Sequence, residues 1–483
     1  MMFALALAAE QTVEATPEAV FALFGAGAGA GWVFDATCDR VATGSVVTMR
    51  APFGGAGGDV EILGRITRIR FPQEIVVAHD LPWRGRLRVV FDAAPSGGTR
   101  VRLIADLDAD GLEWLMRRRG WPVPDEPPPD AHPVGLLTSK SGSGSVFASA
   151  TENVARLAVE EINADGGIHG RPIRLVVGDD ATDVEVGAGE ARRLVRAGCR
   201  AILATTTSAT FARVQREIAS TGVLLVHTLM NEGGRGGDLL FQLGERPQDQ
   251  LRAAIGPLMR ESGGRRAFLV GNDYCWPQTV HACARREIAR RSGHVVGEGL
   301  APLGSRDFEP MIERILASRA DLVVSAFVGA DAVAFERQCH AMGLRDRART
   351  LVLALDEPTR ERIGDRAAAG LWAVSGYFAE LPGEANATFL ARYRAAYGRW
   401  APPVSSISES TYEALHLYAA AARNARDDEP RSVSRGLRGR HGFPRGTVTL
   451  SGPETFRQDL YLARATAEGF EIVSTSCQCD VTY

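Results

Sequence analysis

The sequence predicts two folds in one chain: a small α+β domain, and behind it a large α/β module of two lobes built on parallel sheets. Three observations predict it. The stretch 120–133, GWPVPDEPPPDAHP, holds too many prolines for helix or sheet and reads as a stiff linker. Before it, residues 1–119 carry short apolar and alternating runs separated by Gly or Pro, the mark of a strand meander. After it, residues 134–483 alternate strand and helix patterns, the mark of a parallel sheet. That span of about 350 residues is too long for one doubly wound sheet. Two lobes with a cleft between them are therefore expected, lobe 1 over about 134–245 plus C-terminal returns and lobe 2 over about 262–376.

In the N-terminal part a strand (Met2 to Val13) leads into a short helix (Thr16 to Phe24). Strand patterns follow at Val60 to Ile69, Gln73 to Asp80, Gly85 to Ala93 and Thr99 to Asp106. A helix of roughly two to three turns, Gly111 to Arg119, closes the domain before Pro122.

The module opens with an apolar strand, Val134 to Leu137, a Ser/Gly loop and an amphipathic helix bearing Phe147, Ala150, Val154, Leu157, Ala158 and Ile162 on one face. Gly166-Gly167 stops the helix, and Ile173 to Gly178 returns as a strand. Small hydroxyls before a helix N-terminus, where backbone N–H groups are free, suit an anion or a carbonyl oxygen. Further strands are expected at Ala201–Ala204, Leu224–His227, Ala267–Gly271, Val295–Glu298, Leu322–Ser325, Thr350–Leu353 and Leu371–Ser375.

Two phrases at strand ends carry the binding argument. Thr205, Thr206, Thr207 and Ser208 precede a helix, and capping needs only one hydroxyl. Asn272-Asp273-Tyr274-Cys275-Trp276-Pro277 places two aromatic rings at the carboxyl end of a strand, where open α/β sheets bind ligands. Lobe packing with Pro277 in a helix's first turn is the plainer account of that phrase.

Composition narrows the classes. Hydrophobic and charged fractions of 45% and 23% are those of an ordinary globular protein, and a net charge of −3 gives no polyanion-binding field, so nucleic acid is not expected. Lys140 is the only lysine, and it stands in the first binding-type loop. Seven cysteines, odd in number and scattered, read as thiols, and Cys477-Gln478-Cys479 falls short of a zinc ligand set. There is no phosphate-loop, zinc-protease or nucleophile-elbow motif, so neither enzyme activity nor a metal or cofactor is expected. No segment approaches the ~20 apolar residues of a membrane span.

The module resembles the type I periplasmic binding proteins, through INADGGIHGRPI at residues 162–173 and, for the urea and short-chain-amide binders, through GNDYCWP at residues 271–277. The resemblance implies a ligand set of Ser141, Gly142, Thr205, Thr207, Ser208, His227, Tyr274, Trp276, Phe327 and Glu357. Glu232-Gly233, Val333 to Phe335, Asp356 and Tyr377-Phe378 fit the same relatives. Thr205 and His227 stand where those relatives carry aromatics, and Asp331 is one residue beyond their acidic position. The N-terminal part resembles the START-like, helix-grip superfamily of polyketide cyclases and lipid carriers, through TVEATPEAVFALF and the later WVFDATCDRVATGS. Its last helix is shorter than that family's, which argues against a deep cavity.

The resemblance implies a binding protein closing on a small polar solute, urea, a short-chain amide or an amino acid, as the binding subunit of an ABC importer with a permease as partner. An intracellular amide-responsive sensor acting on a regulatory protein is the alternative. An enzyme or hydrophobic-ligand carrier in the N-terminal domain is the third reading. The first residues, MMFALALAAE, lack the basic region of a signal peptide, and with the N-terminal fusion this leads to the expectation of a cytoplasmic location, an exported one being the alternative.

Overall fold

A computed structural model describes residues 5–25, 35–51, 60–95, 97–121, 123, 130–233, 236–452 and 455–476. Most of the proline-rich linker, Pro122 included, and the Cys477–Cys479 phrase lie outside the described residues. The chain forms two compact units, and the first takes in Lys140–Ser145 and Tyr397–Pro402 along with the N-terminal residues.

In the first unit, β1 (Leu5–Val13), α1 (Pro17–Ala22), β2 (Asp35–Thr37), β3 (Val46–Ala51), β4 (Val60–Arg70), β5 (Glu74–Leu81), β6 (Gly85–Ala93), β7 (Thr99–Leu107) and α2 (Ala109–Arg118) follow one another. Its seven strands are antiparallel in the order β1-β7-β6-β5-β4-β3-β2, with Leu5 opposite Leu107 and Val13 opposite Thr99. Each helix starts on a side-chain cap: Thr16 accepts from the Ala19 N–H at 3.4 Å, and Asp108 from the Gly111 N–H at 2.8 Å. One face of the sheet is filled by Phe21, Met49, Ile62, Val77, Leu87 and Leu103, with Trp83 and Trp114 among them. The alternating burial of β6 is the period-2 pattern the sequence carries.

In the second unit, lobe 1 comprises β8 (His132–Thr138), α3 (Thr151–Ala164), β9 (Ile173–Asp179), α4 (Val184–Arg196), β10 (Ala201–Thr205), α5 (Ser208–Ile218), β11 (Leu224–His227) and β12 (Leu240–Gln242). Its parallel sheet runs β12-β11-β10-β8-β9. The chain then crosses to lobe 2: α6 (Pro247–Ser262), β13 (Arg266–Asn272), α7 (Cys275–Arg290), β14 (His294–Ala301), α8 (Glu309–Ser318), β15 (Leu322–Ala326), α9 (Gly329–Ala341), β16 (Arg349–Val352), α10 (Glu357–Ile363), α11 (Asp365–Ala368) and β17 (Trp372–Ser375).

A second crossing returns α12 (Glu384–Tyr397), α13 (Ser406–Asn424) and α14 (Pro430–Gly436) to lobe 1, where α13 packs along α3. A small antiparallel sheet of β18 (Gly439–Phe443), β19 (Gly446–Gly452) and β20 (Thr455–Arg457) follows. The third crossing brings β21 (Leu460–Ala465) and β22 (Phe470–Ser476) antiparallel onto β17, so lobe 2 reads β14-β13-β15-β16-β17-β21-β22. Central strands such as β10 and β15 are buried along their whole length, because helices cover both faces of a parallel sheet.

Candidate ligand-binding site

The carboxyl ends of the lobe 1 strands carry hydroxyls in three different states. Thr205 Oγ1 lies 2.7 Å from Thr228 Oγ1 and 3.1 Å from Thr411 Oγ1 on α13, a fully buried triad that ties helix to sheet. Thr207 is the N-cap of α5, accepting from the Thr210 N–H at 3.3 Å, and Ser208 begins that helix. Between them Thr206 Oγ1 is buried without a hydrogen-bond partner. A hydroxyl left in that state costs about 1–3 kcal/mol. Thr206, and Ser208 whose hydroxyl is likewise unengaged, are therefore the groups of this loop with bonding capacity to spare.

His227, at the end of β11, holds this loop in place. Its Nε2 lies 2.9 Å from the Thr206 carbonyl oxygen and its ring stacks on Phe211 at 4.0 Å. Burial pushes its pKa down to about 4, so the ring is neutral and Nε2–H donates to that carbonyl. Its Nε2 thus fixes the backbone of Thr206, while Nδ1 is buried without a partner.

In lobe 2 the Asn272 side chain locks three loops together. Its Nδ2 donates to Asp331 Oδ2 at 2.7 Å, its Oδ1 accepts from the Val328 N–H at 3.1 Å, and Asp331 Oδ2 also accepts from the Gly304 N–H at 2.8 Å. Tyr274 takes the N-cap position of α7 in an extended backbone. Burial raises its phenol well above the ordinary range, with the Glu232 and Asp331 carboxylates adding to the rise. Trp276 is 2% exposed and its Nε1–H has no partner.

These aromatics belong to an apolar cluster that runs through both lobes. Phe147, Ala148, Leu229 and Met230 of lobe 1 meet Trp276, Val328, Leu353 and Ala354 of lobe 2, with Tyr274 packed against them. The helix pattern begins at Phe147, yet α3 starts at Thr151, because Phe147 and Ala148 are drawn into this contact. Ser149, next in the chain, is buried with its hydroxyl unpartnered.

Other expected ligand residues fall elsewhere. Phe327 is wholly buried among Phe308 and Phe335 in the outer core of lobe 2, at ring distances of 4.8 and 4.7 Å. Strand parity explains it: Leu322, Val324, Ala326 and then Val328 join the interlobe cluster, while Val323 and Phe327 join the outer one. Glu357 accepts from the Ala379 N–H at 2.7 Å, and burial with the nearby Glu380 raises its carboxyl well above the carboxylate range. Asp356 caps α10 through the Thr359 N–H at 3.0 Å, and burial raises it to about 6. Ser141 and Gly142, with Lys140, lie in the segment that groups with the first unit, Ser141 buried and Gly142 at φ +80°. Among the described residues no cluster of His, Cys, Asp and Glu could hold a metal ion, and the described cysteines 38, 199, 275, 283 and 339 are free thiols.

Phe147, Met230 and Val328 of the interlobe cluster, and the unpartnered Thr206, lie outside the ligand set that the resemblance implies. Parity along β15 selects Val328 over Phe327, and the partners of Thr205 and Thr207 leave Thr206 and Ser208 as the unengaged hydroxyls of the loop. Nothing in the local pattern joins Phe147 to Met230, since their meeting depends on how the lobes come together.

Parallel-stranded sheets whose strand ends face each other across an apolar boundary, with three chain crossings between them, define a two-lobed protein. The chain belongs to the periplasmic binding protein family, whose model matches residues 132–469. A Leu/Ile/Val-binding protein of Rhizobium johnstonii is 26% identical over 212 residues, which are 43% of this chain and 57% of that protein. The Leu/Ile/Val-binding protein of Escherichia coli is 21% identical over 215 residues, 44% of this chain and 59% of its own length. The chain thus spans less than two thirds of the curated relatives it matches. In fold it is similar to the solute-binding protein of an ABC transporter from Rhodopseudomonas palustris solved with p-hydroxybenzoic acid, with a TM-score of 0.66 and 18% identity over 72% of this chain and 97% of that one. It is likewise similar to a branched-chain amino acid transporter substrate-binding protein of Streptococcus pneumoniae solved with isoleucine, with a TM-score of 0.64 and 20% identity over 72% and 99% of the two chains.

These relatives are solute-binding proteins and not enzymes, in agreement with the reading of the motifs. The expected cytoplasmic location is corrected: the family is one of periplasmic binding proteins, and its solved neighbours serve ABC transporters. The composition of ten N-terminal residues is too slight a ground for placing the module.

Proposed function

We propose that this chain is the solute-binding component of an ABC importer, closing its two lobes on a small acid with an apolar body and presenting the closed form to a permease. The observation that carries the reading is the boundary between the lobes. Its core is apolar, with Phe147, Leu229, Met230, Trp276 and Val328, and the buried polar atoms without partners include Trp276 Nε1 and Ser149 Oγ, with Thr138 Oγ1, Thr206 Oγ1, His227 Nδ1 and Gln242 Oε1 at or just beyond the lobe 1 strand ends. An apolar lining with a few convergent polar groups suits a branched-chain amino acid or a small aromatic acid better than urea. Relatives solved with isoleucine and with p-hydroxybenzoic acid support that class. A urea or short-chain amide is the second reading, on the strength of GNDYCWP at residues 271–277.

For residues 1–119 we keep the START-like, helix-grip reading. An antiparallel sheet with a helix after its first strand and another after its last supports it. The core against that sheet is filled by side chains, which favours a binding or packing role over catalysis.

Thermal-shift titration of the full chain with isoleucine, leucine, benzoate, p-hydroxybenzoate, urea and acetamide tests the ligand class. A ligand at 100 times its Kd stabilises by about 2.7 kcal/mol. Stabilisation by an amino acid or aromatic acid that Trp276→Ala and Tyr274→Ala abolish is the expected result. Stabilisation by urea or acetamide alone would overturn the apolar-acid reading in favour of the second.

A further inference from the structure

The three chain crossings between the lobes converge on one buried side chain, Arg445, in the turn between β18 and β19. From the first crossing comes Glu245, whose Oε1 accepts from Ser375 Oγ at 3.1 Å and the Gly376 N–H at 2.7 Å, both on the second crossing, and from Ser406 Oγ at 2.5 Å. Arg445 bonds the Ser406 carbonyl oxygen at 3.3 Å and Ser410 Oγ at 2.7 Å. Its guanidinium also bonds Gln458, on the third crossing. The charge is met from lobe 1 by α13, where Glu409 pairs with both Nε and Nη2, and Glu413 lies 2.9 Å from Nε. The side chains of Arg445, Glu409 and Glu413 are at most 1% exposed. Gly376 completes the junction: a Cβ there would collide with Gln458 Oε1 and come within 2.9 Å of Arg445 Nη1.

We propose that Arg445, held by Glu409 and Glu413, is the hinge lock of the module, a positioning group that sets the balance between open and closed lobes without touching the ligand. The proposal rests on the two-lobed closing reading, not on any choice of ligand. One guanidinium faces two carboxylates on the same helix, so it holds a spare. Burial, with the Glu409 charge beside it, raises the Glu413 carboxyl well above the ordinary range. Glu409 bonds both Nε and Nη2 whereas Glu413 bonds Nε alone, so Glu409 is the principal partner and Glu413 the spare. The other titratable groups at this junction are Glu245, which already accepts from three donors, Tyr377, whose raised phenol senses Glu409 and Arg445, and Tyr461, whose hydroxyl donates to the Arg445 carbonyl at 3.3 Å.

The spare makes a non-additive prediction. In Glu409→Gln the Glu413 carboxyl, already 2.9 Å from Nε, takes over the pair, and in Glu413→Gln the bonds from Glu409 are untouched. Each single variant keeps the wild-type balance, whereas the double variant leaves a buried guanidinium without its α13 partners. The measurement is the interlobe distance distribution of the ligand-free full chain, by pulsed electron spin resonance between labels at the exposed Val186 of α4 and Leu300 of β14. The open-to-closed ratio is expected to change by ~10-fold or more in Glu409→Gln/Glu413→Gln and in Arg445→Met, and by less than ~2-fold in either single Gln variant, a ~10-fold change being the ordinary size of a coupling between sites. Wild-type distributions in the double variant and in Arg445→Met would falsify the lock, and so would single variants that shift as far as the double. Should Arg445→Met and the double variant fail to fold, Gly376→Ala decides, since it crowds Gln458 and Arg445 without removing a charge. A shifted distribution in that variant supports the lock and an unshifted one overturns it. No ligand enters the measurement, so failure of a ligand screen leaves the lock untouched.

Discussion

The two sides of the boundary between the lobes are built on opposite principles. At the strand ends the contact is apolar, and several polar atoms, Thr206 Oγ1, Ser149 Oγ and Trp276 Nε1, have no partner. At the crossings the contact is ionic and hydrogen-bonded: Glu245 accepts from Gly376 and Ser406, while Arg445 bonds Gln458 and pairs with Glu409 and Glu413. Apolar contact is indifferent to small sliding and separation, whereas a buried ion pair has one good geometry. The difference teaches where movement is cheap: the strand ends can part, and the crossings act as the fixed side about which they do so.

The largest expected effect lies on the ionic side. Arg445→Met leaves Glu409 and Glu413 buried without their cation, a change that costs about 3–5 kcal/mol, read as a fall in the denaturation midpoint of the second unit. A loss under ~1 kcal/mol would erase the contrast. On the apolar side Trp276→Ala removes a ring that is 2% exposed, at a cost of about 3 kcal/mol, and should also abolish ligand-induced stabilisation.

Acidity separates the lobes next. The His227 pKa is depressed from 6.5 to about 4, so its neutral burial contributes stability present above 6.5 and lost as pH falls through that window, roughly 3 kcal/mol at most. Asp356 is raised to about 6, so it works the other way: its contribution is full below its ordinary pKa of 3.8 and lost as pH rises through 6. A His227→Phe variant, which keeps a ring on Phe211, should lose less stability than the parent between pH 6.5 and 4, and Asp356→Asn should lose the opposing slope. Identical acid titrations of variant and parent would refute the assignment of these slopes.

The smallest and sharpest test separates neighbours. Thr205→Val breaks the bonds to Thr228 and Thr411 and should cost about 1 kcal/mol with ligand affinity unchanged. Thr206→Val removes an unpartnered buried hydroxyl and should raise stability by about 1 kcal/mol while weakening ligand binding ~10-fold. Reversed outcomes would exchange the roles of the two residues.

Much of this architecture was open to reading from the residues. The runs Ala201–Ala204 and Leu322–Ser325 are apolar throughout because helices cover both faces of their sheets, and so they announce parallel strands. The site was legible by neighbourhood and less so by residue. Position along the chain points to the loops after β10 and β13, but that Thr205 is engaged depends on Thr228 and Thr411, the latter some two hundred positions away. Phe327 drew attention as an aromatic ring in the right loop, yet parity sends it outward and Val328 inward. The hinge was not legible at all, because Glu245, Arg445 and Gln458 are brought together only by the crossings.

The antiparallel return of β21 and β22 onto β17 has a consequence for biosynthesis. Lobe 2 cannot complete its sheet, nor can Gln458 reach Arg445, until residues 445–476 have left the ribosome. Lobe 1 has its five strands in hand some two hundred residues earlier, and then waits for α13 and for its partner. The second unit is therefore complete only when its last segment has been made, whatever the first lobe has already gathered.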